Sequence, residues 1–278
     1  LTALWNISTN SPIDWRLERC YASERFAAYD MIPQLGSGDL FIGDRGYPSY
    51  RMLRELRDSG AAYLIRLPTG SRGGFREAHA FAEDDSAWDR QVLLHEKRGR
   101  AGEPTMPVRL MNRRLDSGDV AVFVTNLLSS RKHRRRALCD LYCYRWDIET
   151  AFKEMKCWHG LENFRARYAE GIHQEVAALM TFMLLTAELE GIARKHHEVD
   201  MKDRPEDAPQ EPTIRWNRKR IAEYVGYLLA AAAQGEDALR KEFDYAMRML
   251  WRHRQKRRSG RKFPRVAKSA NSKRKGKS

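Results

Sequence analysis

Short apolar runs broken by Gly, Pro, Asn and Ser divide the first quarter of the chain into alternating strands and helices. Residues 1–7 and 13–17 read as two strands joined by an Asn/Ser/Pro turn, a hairpin signal. Ser23 then caps a helix that runs to about Leu35, where Gly36-Ser37-Gly38 breaks it. Residues 39–43 form a short apolar strand that ends on Asp44. From Pro48 to Asp58, Met52, Leu53 and Leu56 recur at helical spacing, with Pro near the start and Gly60 past the end. Residues 61–67 are a further strand, stopped by Pro68. Strand, strand, helix, strand, helix, strand predicts an α/β fold: a mixed sheet flanked by helices.

The pattern changes at Thr69. Up to about Ser130 Gly and Pro punctuate the chain, and the apolar pieces are short, at 91–95, 107–111 and 120–128. This stretch is expected to be β-rich, with its one tryptophan, Trp88, in the core rather than stacked on a base. Longer helical patterns follow, at 171–195 and at 217–233, the second carrying Ile221, Tyr224, Val225 and Leu228. Between them, residues 198–212 are rich in Pro and acids and read as a surface loop. The longest apolar stretch, 176–189, is interrupted by Thr181, Thr186 and Glu188, and reads as a buried core helix rather than a membrane span of roughly 20 residues. No signal peptide is visible, and four Cys in this length point to a reducing cytoplasm rather than a disulfide scaffold.

Charge changes the picture. The chain carries 51 Lys and Arg against 37 Asp and Glu, a formal net charge of +14. Residues 251–278 contain 13 Lys or Arg and no acid, so this segment alone supplies +13 of that +14. Such a block is expected to be a disordered tail with a polyanion, nucleic acid, as partner. A second basic run, Arg131-Lys132-His133-Arg134-Arg135-Arg136, precedes the next apolar helix.

That helix carries the candidate chemistry. Tyr142, Arg145, Glu149 and Lys156 are offset by 3, 4 and 7 residues, which on a helix of 3.6 residues per turn places them on one face. A phenol, a guanidinium, a carboxylate and an ammonium in a row suit a metal-bound, phosphate-rich substrate, although an Arg–Glu pair at i,i+4 is also a common surface decoration. Trp146, Ile148, Phe152 and Met155 interleave with the stripe, so one side of the helix is expected to be buried. An acid at a strand tip, Asp44, and an acid on a later helix, Glu149, can together hold a hard divalent cation through oxygen. Cys139, Cys143, Cys157 and His159 lack a standard zinc spacing. His173, His196 and His197 read as exposed helix residues. No Gly-rich phosphate loop or nucleophile elbow is present.

These residues resemble a known family. The phrase Asp44-Arg45-Gly46-Tyr47-Pro48-Ser49 and the Tyr142, Arg145, Glu149, Lys156 spacing are similar to bacterial insertion-sequence transposases of the DDE type. Within these the chain resembles the group named for its Tyr-Arg-Glu-Lys signature, the fourth insertion-sequence family. The resemblance covers most of the chain, from about Leu1 to Arg265. It implies a ribonuclease H-like core lacking its first strand, within a chain of five segments. Residues 1–68 are the first part of the core, 69–130 a β-rich insertion, and 131–197 the signature helix with a following core helix. Residues 198–250 are a linker and C-terminal helices, and 251–278 the basic tail.

The resemblance further implies that Asp44 and Glu149 are catalytic metal ligands for Mg2+ or Mn2+, two ions roughly 4 Å apart in a complete site. Tyr142, Arg145 and Lys156 would bind DNA phosphates. The partners would be transposon ends and target DNA, bridged by a homodimer. The family's first catalytic aspartate lies upstream of the segment that Leu1–Leu17 resembles, and neither Asp14 nor Asp30 fits that role. An N-terminally truncated chain that binds DNA but cleaves poorly is therefore the expectation, the alternative being a non-catalytic DNA-binding remnant that inhibits intact transposase or has no activity.

Overall fold

A computed structural model describes residues 1–19, 22–69, 74–84, 86–96, 104–115, 119–202 and 214–256. They fall into two units, Leu1–Glu188 and Leu189–Ser278.

In the first unit, Thr2–Asn6 (β1) and Ser11–Arg16 (β2) pair as an antiparallel hairpin. Asn6 makes the turn, its Oδ1 accepting from the backbone N–H groups of Ser8 and Thr9. Asn10 completes it at φ 54°, a left-handed conformation that Asn adopts more readily than most residues. The sequence pattern placed this hairpin in the main sheet, whereas it forms a two-stranded sheet of its own. Its apolar side chains are claimed by helices instead: Trp5 is buried in a cluster with Ala151, Met155, Leu161, Val176, Met180 and Met183.

Glu24–Met31 (α1) runs on through a 3-10 turn at Ile32–Gln34. Leu40–Gly43 (β3), Tyr50–Asp58 (α2) and Ala62–Leu67 (β4) then make a strand–helix–strand unit with parallel strands. Helix α2 starts at Tyr50 because Ser49 caps it, its Oγ accepting from the Met52 N–H at 3.1 Å. Met52, Leu53 and Leu56 form its buried stripe. Strand β4 is covered on both faces: Tyr63, Ile65 and Leu67 join the cluster with α2, and Leu64 joins one with Phe123 and Leu138. Alternation along the strand sends these neighbours to opposite sides.

Arg76–Glu83 (α3), Asp89–His95 (β5), Thr105–Arg114 (β6) and Val120–Thr125 (β7) follow. One mixed sheet results, in the order β3-β4-β7-β6-β5, with every neighbour antiparallel except β3 and β4. Residues 69–130 thus supply strands, but these extend the sheet that holds β3 and β4: β7 pairs with β4 from Leu64↔Thr125 to Leu67↔Val122. The Asn126 side chain prolongs that seam, accepting from the Tyr63 N–H and donating to the Ala61 carbonyl. Trp88 is not in the core. It is 47% exposed, with the Arg135 guanidinium 5.5 Å from its ring centre.

A buried arginine ties this sheet to the segment that follows. Arg109 on β6 is 1% exposed and forks onto both oxygens of Asp89 at 2.6 Å. Its Nη1 also donates to the carbonyls of Leu127 and His133. The basic run 131–136 is therefore anchored at its middle, and Arg135 adds a bond to the Asn112 carbonyl.

Arg135–Leu141 (α4), Trp146–His159 (α5) and Ala169–Lys202 (α6) complete the helices of this part of the chain. Tyr142–Arg145, between α4 and α5, is a 3-10 turn, so the signature does not lie on one continuous α-helix. Helix α6 is longer than its sequence pattern suggested, and Ala169–His197 has the length and mean hydropathy (1.6) to cross a membrane. Its Val176, Met180 and Met183 are nevertheless buried under the β1–β2 hairpin, the pattern of a core helix.

In the second unit, Arg218–Ala232 (α7), capped by Asn217, and Glu236–Arg252 (α8) pack with the last part of α6. Glu190 is buried and takes guanidinium bonds from Arg194 at 2.6 Å and Arg218 at 2.9 Å. His196 is exposed as expected, but His197 is half-buried, its ring 3.9 Å from that of Trp251. Residues 203–213 of the acidic linker and 257–278 of the basic tail lie outside the described residues.

Candidate active site

Parallel strands β3 and β4 bring their carboxyl ends to one edge of the sheet, the position where open α/β sheets place ligands. Asp44 is the first residue past β3 on that edge. Gly43 beneath it has no room for a side chain, since a Cβ there would stand 2.9 Å from Phe41 and 3.3 Å from Ile65. The loop after Asp44 is tied down at three points. The Tyr47 N–H donates to the Asp44 carbonyl, Arg25 of α1 donates twice to the Gly46 carbonyl, and Tyr29 of α1 shares a hydrogen bond with Ser49. The Asp44 carboxylate accepts the Arg45 N–H at 2.6 Å and is otherwise partly open to solvent.

The 3-10 turn delivers the other half. Arg145 closes that turn, and its Nη1 lies 2.6 Å from Glu149 Oε1 and 3.4 Å from Asp44 Oδ2. One guanidinium thus bridges the strand-tip acid and the helix acid. The Arg145 side chain is 15% exposed, with the rings of Trp146 and Tyr142 4.9 and 5.9 Å from its carbon. Burial opposes its charge, but the hydrogen bond to Glu149 and the negative charge of Asp44 outweigh burial, so its pKa lies above the ordinary arginine value. Its Nε is buried with no hydrogen-bond partner.

Tyr142 stands against Phe123 of β7, ring to ring at 4.8 Å in edge-to-face contact. Burial, reinforced by the negative charge of Asp44, pushes its pKa up to about 12. Its hydroxyl is also buried without a hydrogen-bond partner. Sequence reasoning quoted Tyr47 within the strand-end phrase but assigned it no role. Burial first, then the charges of Glu24 and Asp44, push its pKa up to about 12 as well, with a hydrogen bond to Glu24 adding to the shift. Both phenols therefore remain neutral hydrogen-bond donors at ordinary pH.

Asp44, Tyr142, Arg145 and Glu149 are thus brought together. Lys156 is not part of that cluster: it lies about two helical turns beyond Glu149 and pairs with Glu162. A hard divalent cation fits the donor set that is present, since two partly exposed carboxylates converge on the same guanidinium nitrogen. Among the described residues no third Asp, Glu, His or Cys joins them. Two buried polar atoms without partners, Tyr142 Oη and Arg145 Nε, border this spot and can each donate a hydrogen bond to an incoming oxygen.

A search against curated proteins found no match. The family model described as the transposase DDE domain matches residues 1–185, about two thirds of the 278-residue chain, and spans the hairpin, the whole sheet and the Asp44–Arg145–Glu149 cluster. The chain belongs to the transposase DDE domain family.

Proposed function

We propose that this chain acts in cleavage and strand transfer of insertion-sequence DNA, in the Tyr-Arg-Glu-Lys group of the DDE transposases. Asp44 and Glu149 hold the catalytic divalent cations, Mg2+ or Mn2+, which activate the attacking oxygen and stabilise the leaving oxygen of an in-line displacement at phosphorus when bound. The observation that carries this reading is the shared guanidinium: Arg145 contacts both carboxylates, so an acid at a strand tip and an acid more than a hundred residues later meet at one point. Positioning and charge do most of the work in phosphoryl transfer, and each residue has a part in it. Arg145, with a free Nε, turns to a non-bridging phosphate oxygen, and the neutral Tyr142 hydroxyl donates to another. Lys156 meets the backbone further along the strand, on leaving Glu162. DNA ends and target are the substrates, brought together by a homodimer.

The test combines Mn2+ binding, read by electron paramagnetic resonance, with nicking of end-containing plasmid by the full chain. Mn2+ binding that disappears in Asp44→Asn and Glu149→Gln is expected, together with slow nicking that both variants abolish. Failure to hold Mn2+ even with DNA present, or nicking unaffected by either substitution, overturns the assignment. A second reading, a DNA-binding chain that occupies ends without cutting them, is favoured by the lack of a third acid beside Asp44 and Glu149 among the described residues. Site-specific Mn2+ binding without nicking, and reduced transposition when the chain is mixed with complete transposase, would select it.

A further inference from the structure

The loop between α5 and α6 has an unusual balance of rigid backbone and exposed aromatic surface. Gly160 ends α5 in the left-handed conformation, φ 67°, and both it and Leu161 donate backbone N–H bonds to the Met155 carbonyl. Leu161 is buried in the cluster under the hairpin. Further on, the Glu175 carboxylate of α6 accepts the backbone N–H groups of Arg165 and Ala166, the latter at 2.7 Å. Ala166 also packs so closely on α6 that a Cβ at Gly171 would stand 2.6 Å from its own Cβ. The backbone is therefore held at both ends and in the middle.

The side chains point the other way. Tyr168 is 79% exposed and Phe164 37%, with Trp158 of the last turn of α5 at 44%. Arg165 and Arg167 are exposed between them, and neither guanidinium has an ion-pair partner among the described residues. Of the acids around them, Glu162 is engaged by Lys156, Glu175 is taken up by the backbone N–H groups of Arg165 and Ala166, and Glu170 is exposed at the start of α6. Large exposed rings are costly for a free surface, and a rigid backbone beneath them removes the chance of folding them inward.

We propose that Phe164-Arg165-Ala166-Arg167-Tyr168 is a stacking surface for unpaired bases of a DNA strand, with the two guanidiniums on the flanking phosphates. Two cations set between two rings match the chemistry of single-stranded nucleic acid, in which each base offers a π-face and each linkage a negative charge. The bases of an intact duplex are stacked on one another and offer no such face. A protein partner would need an acidic surface to meet Arg165 and Arg167, whereas DNA supplies charge and rings together. The choice of DNA rests on the transposase reading above, but the interaction requires neither Asp44, Glu149 nor a metal ion.

Binding is therefore measured with the full chain in chelator-containing buffer, by fluorescence anisotropy. The probes are labelled oligothymidylate and a duplex of equal length, across a salt series. Phe164→Ala/Tyr168→Ala is expected to weaken oligothymidylate binding about 10-fold or more and to leave duplex binding within about two-fold. Phe164→Leu/Tyr168→Leu, which keeps apolar bulk without a π-face, is expected to behave as the alanine variant does. Arg165→Ala/Arg167→Ala is expected to weaken both probes and to lower the oligothymidylate salt slope by about 1.4. Unchanged oligothymidylate binding in the aromatic variants, equal loss on both probes, or full rescue by leucine overturns the proposal. So does a change in sedimentation of the DNA-free protein, which would assign the rings to a second copy. Circular dichroism establishes that each variant is folded, and cleavage is not part of the readout, so this test can fail while the metal assignment stands, and the reverse.

Discussion

At the scale of single residues, Tyr142 separates stability from function. Its hydroxyl is buried with no hydrogen-bond partner, and a buried polar group in that state costs free energy rather than supplying it. Tyr142→Phe is therefore expected to leave the melting temperature unchanged or to raise stability by about 1 kcal/mol. If Tyr142 binds phosphate as proposed, affinity for DNA ends should fall in the same variant, because the hydroxyl is then missing. A thermal melt and an end-binding titration on one preparation test both halves, and a destabilised variant with normal binding would show that the hydroxyl serves the fold. Tyr142 and Tyr47 also share a pH signature. Both have folded-state values near 12 against an ordinary 10.0. Their contribution to stability is thus intact below pH 10 and is lost as pH rises from there towards about 12. Tyr142→Phe combined with Tyr47→Phe should flatten the loss of melting temperature over that interval. An unchanged alkaline profile would mean that neither phenol is shielded as the structure has it.

At the scale of elements, the buried Arg109 joins the outer strands to the segment leading into the 3-10 turn. Asp89→Ala would take the carboxylate from the buried guanidinium, which keeps two carbonyl bonds and meets water where the partly exposed Asp89 had stood, so a cost of about 1–3 kcal/mol is expected. Urea denaturation should show a loss of that order, with the slope m unchanged. A loss below about 1 kcal/mol would place Asp89 in the class of ordinary surface ion pairs. The same elements show how far sequence patterning reaches. Strand-forming stretches at 91–95, 107–111 and 120–128 were visible as short apolar runs, because alternation and Gly/Pro breaks are local signals. Their membership of the β3–β4 sheet was not visible, since that depends on pairing Leu64 with Thr125 and on Asn126 closing the seam. Register between segments sixty residues apart leaves no mark within either segment. The candidate site divides in the same way. Glu149 and Arg145 were legible from helical spacing alone, which survives the 3-10 turn because the offset of four stays within reach. Lys156 obeyed the same spacing and still lies apart, because seven residues on one helix put it about 10 Å further along the axis, where it pairs with Glu162. Nothing in spacing could reveal that Asp44 reaches the same guanidinium.

At the scale of the whole molecule, chain charge and active-site charge are separable. Residues 257–278 carry 10 Lys or Arg and no acid, whereas the Asp44–Arg145–Glu149 cluster sums to −1. On the proposed function, attraction to DNA at long range would come from the C-terminal segment, and the cluster by itself would repel phosphate until a divalent cation reversed its sign. Two consequences follow that do not share a cause. Deleting residues 257–278 should weaken duplex binding and reduce its salt slope by up to about 9, the limit reached if every one of the ten cations met a phosphate. Mn2+ binding by that shortened chain should be unchanged. Glu149→Gln should do the reverse, removing Mn2+ binding while duplex affinity in chelator stays within about two-fold, since a single charge is altered among many. A tail deletion that also abolished Mn2+ binding would mean that the two functions are not independent. If Glu149→Gln instead tightened binding in chelator many-fold, the repulsion of the two carboxylates would have to be felt across the whole DNA-binding face rather than at the cluster, and the basic segment would lose its place as the main source of affinity.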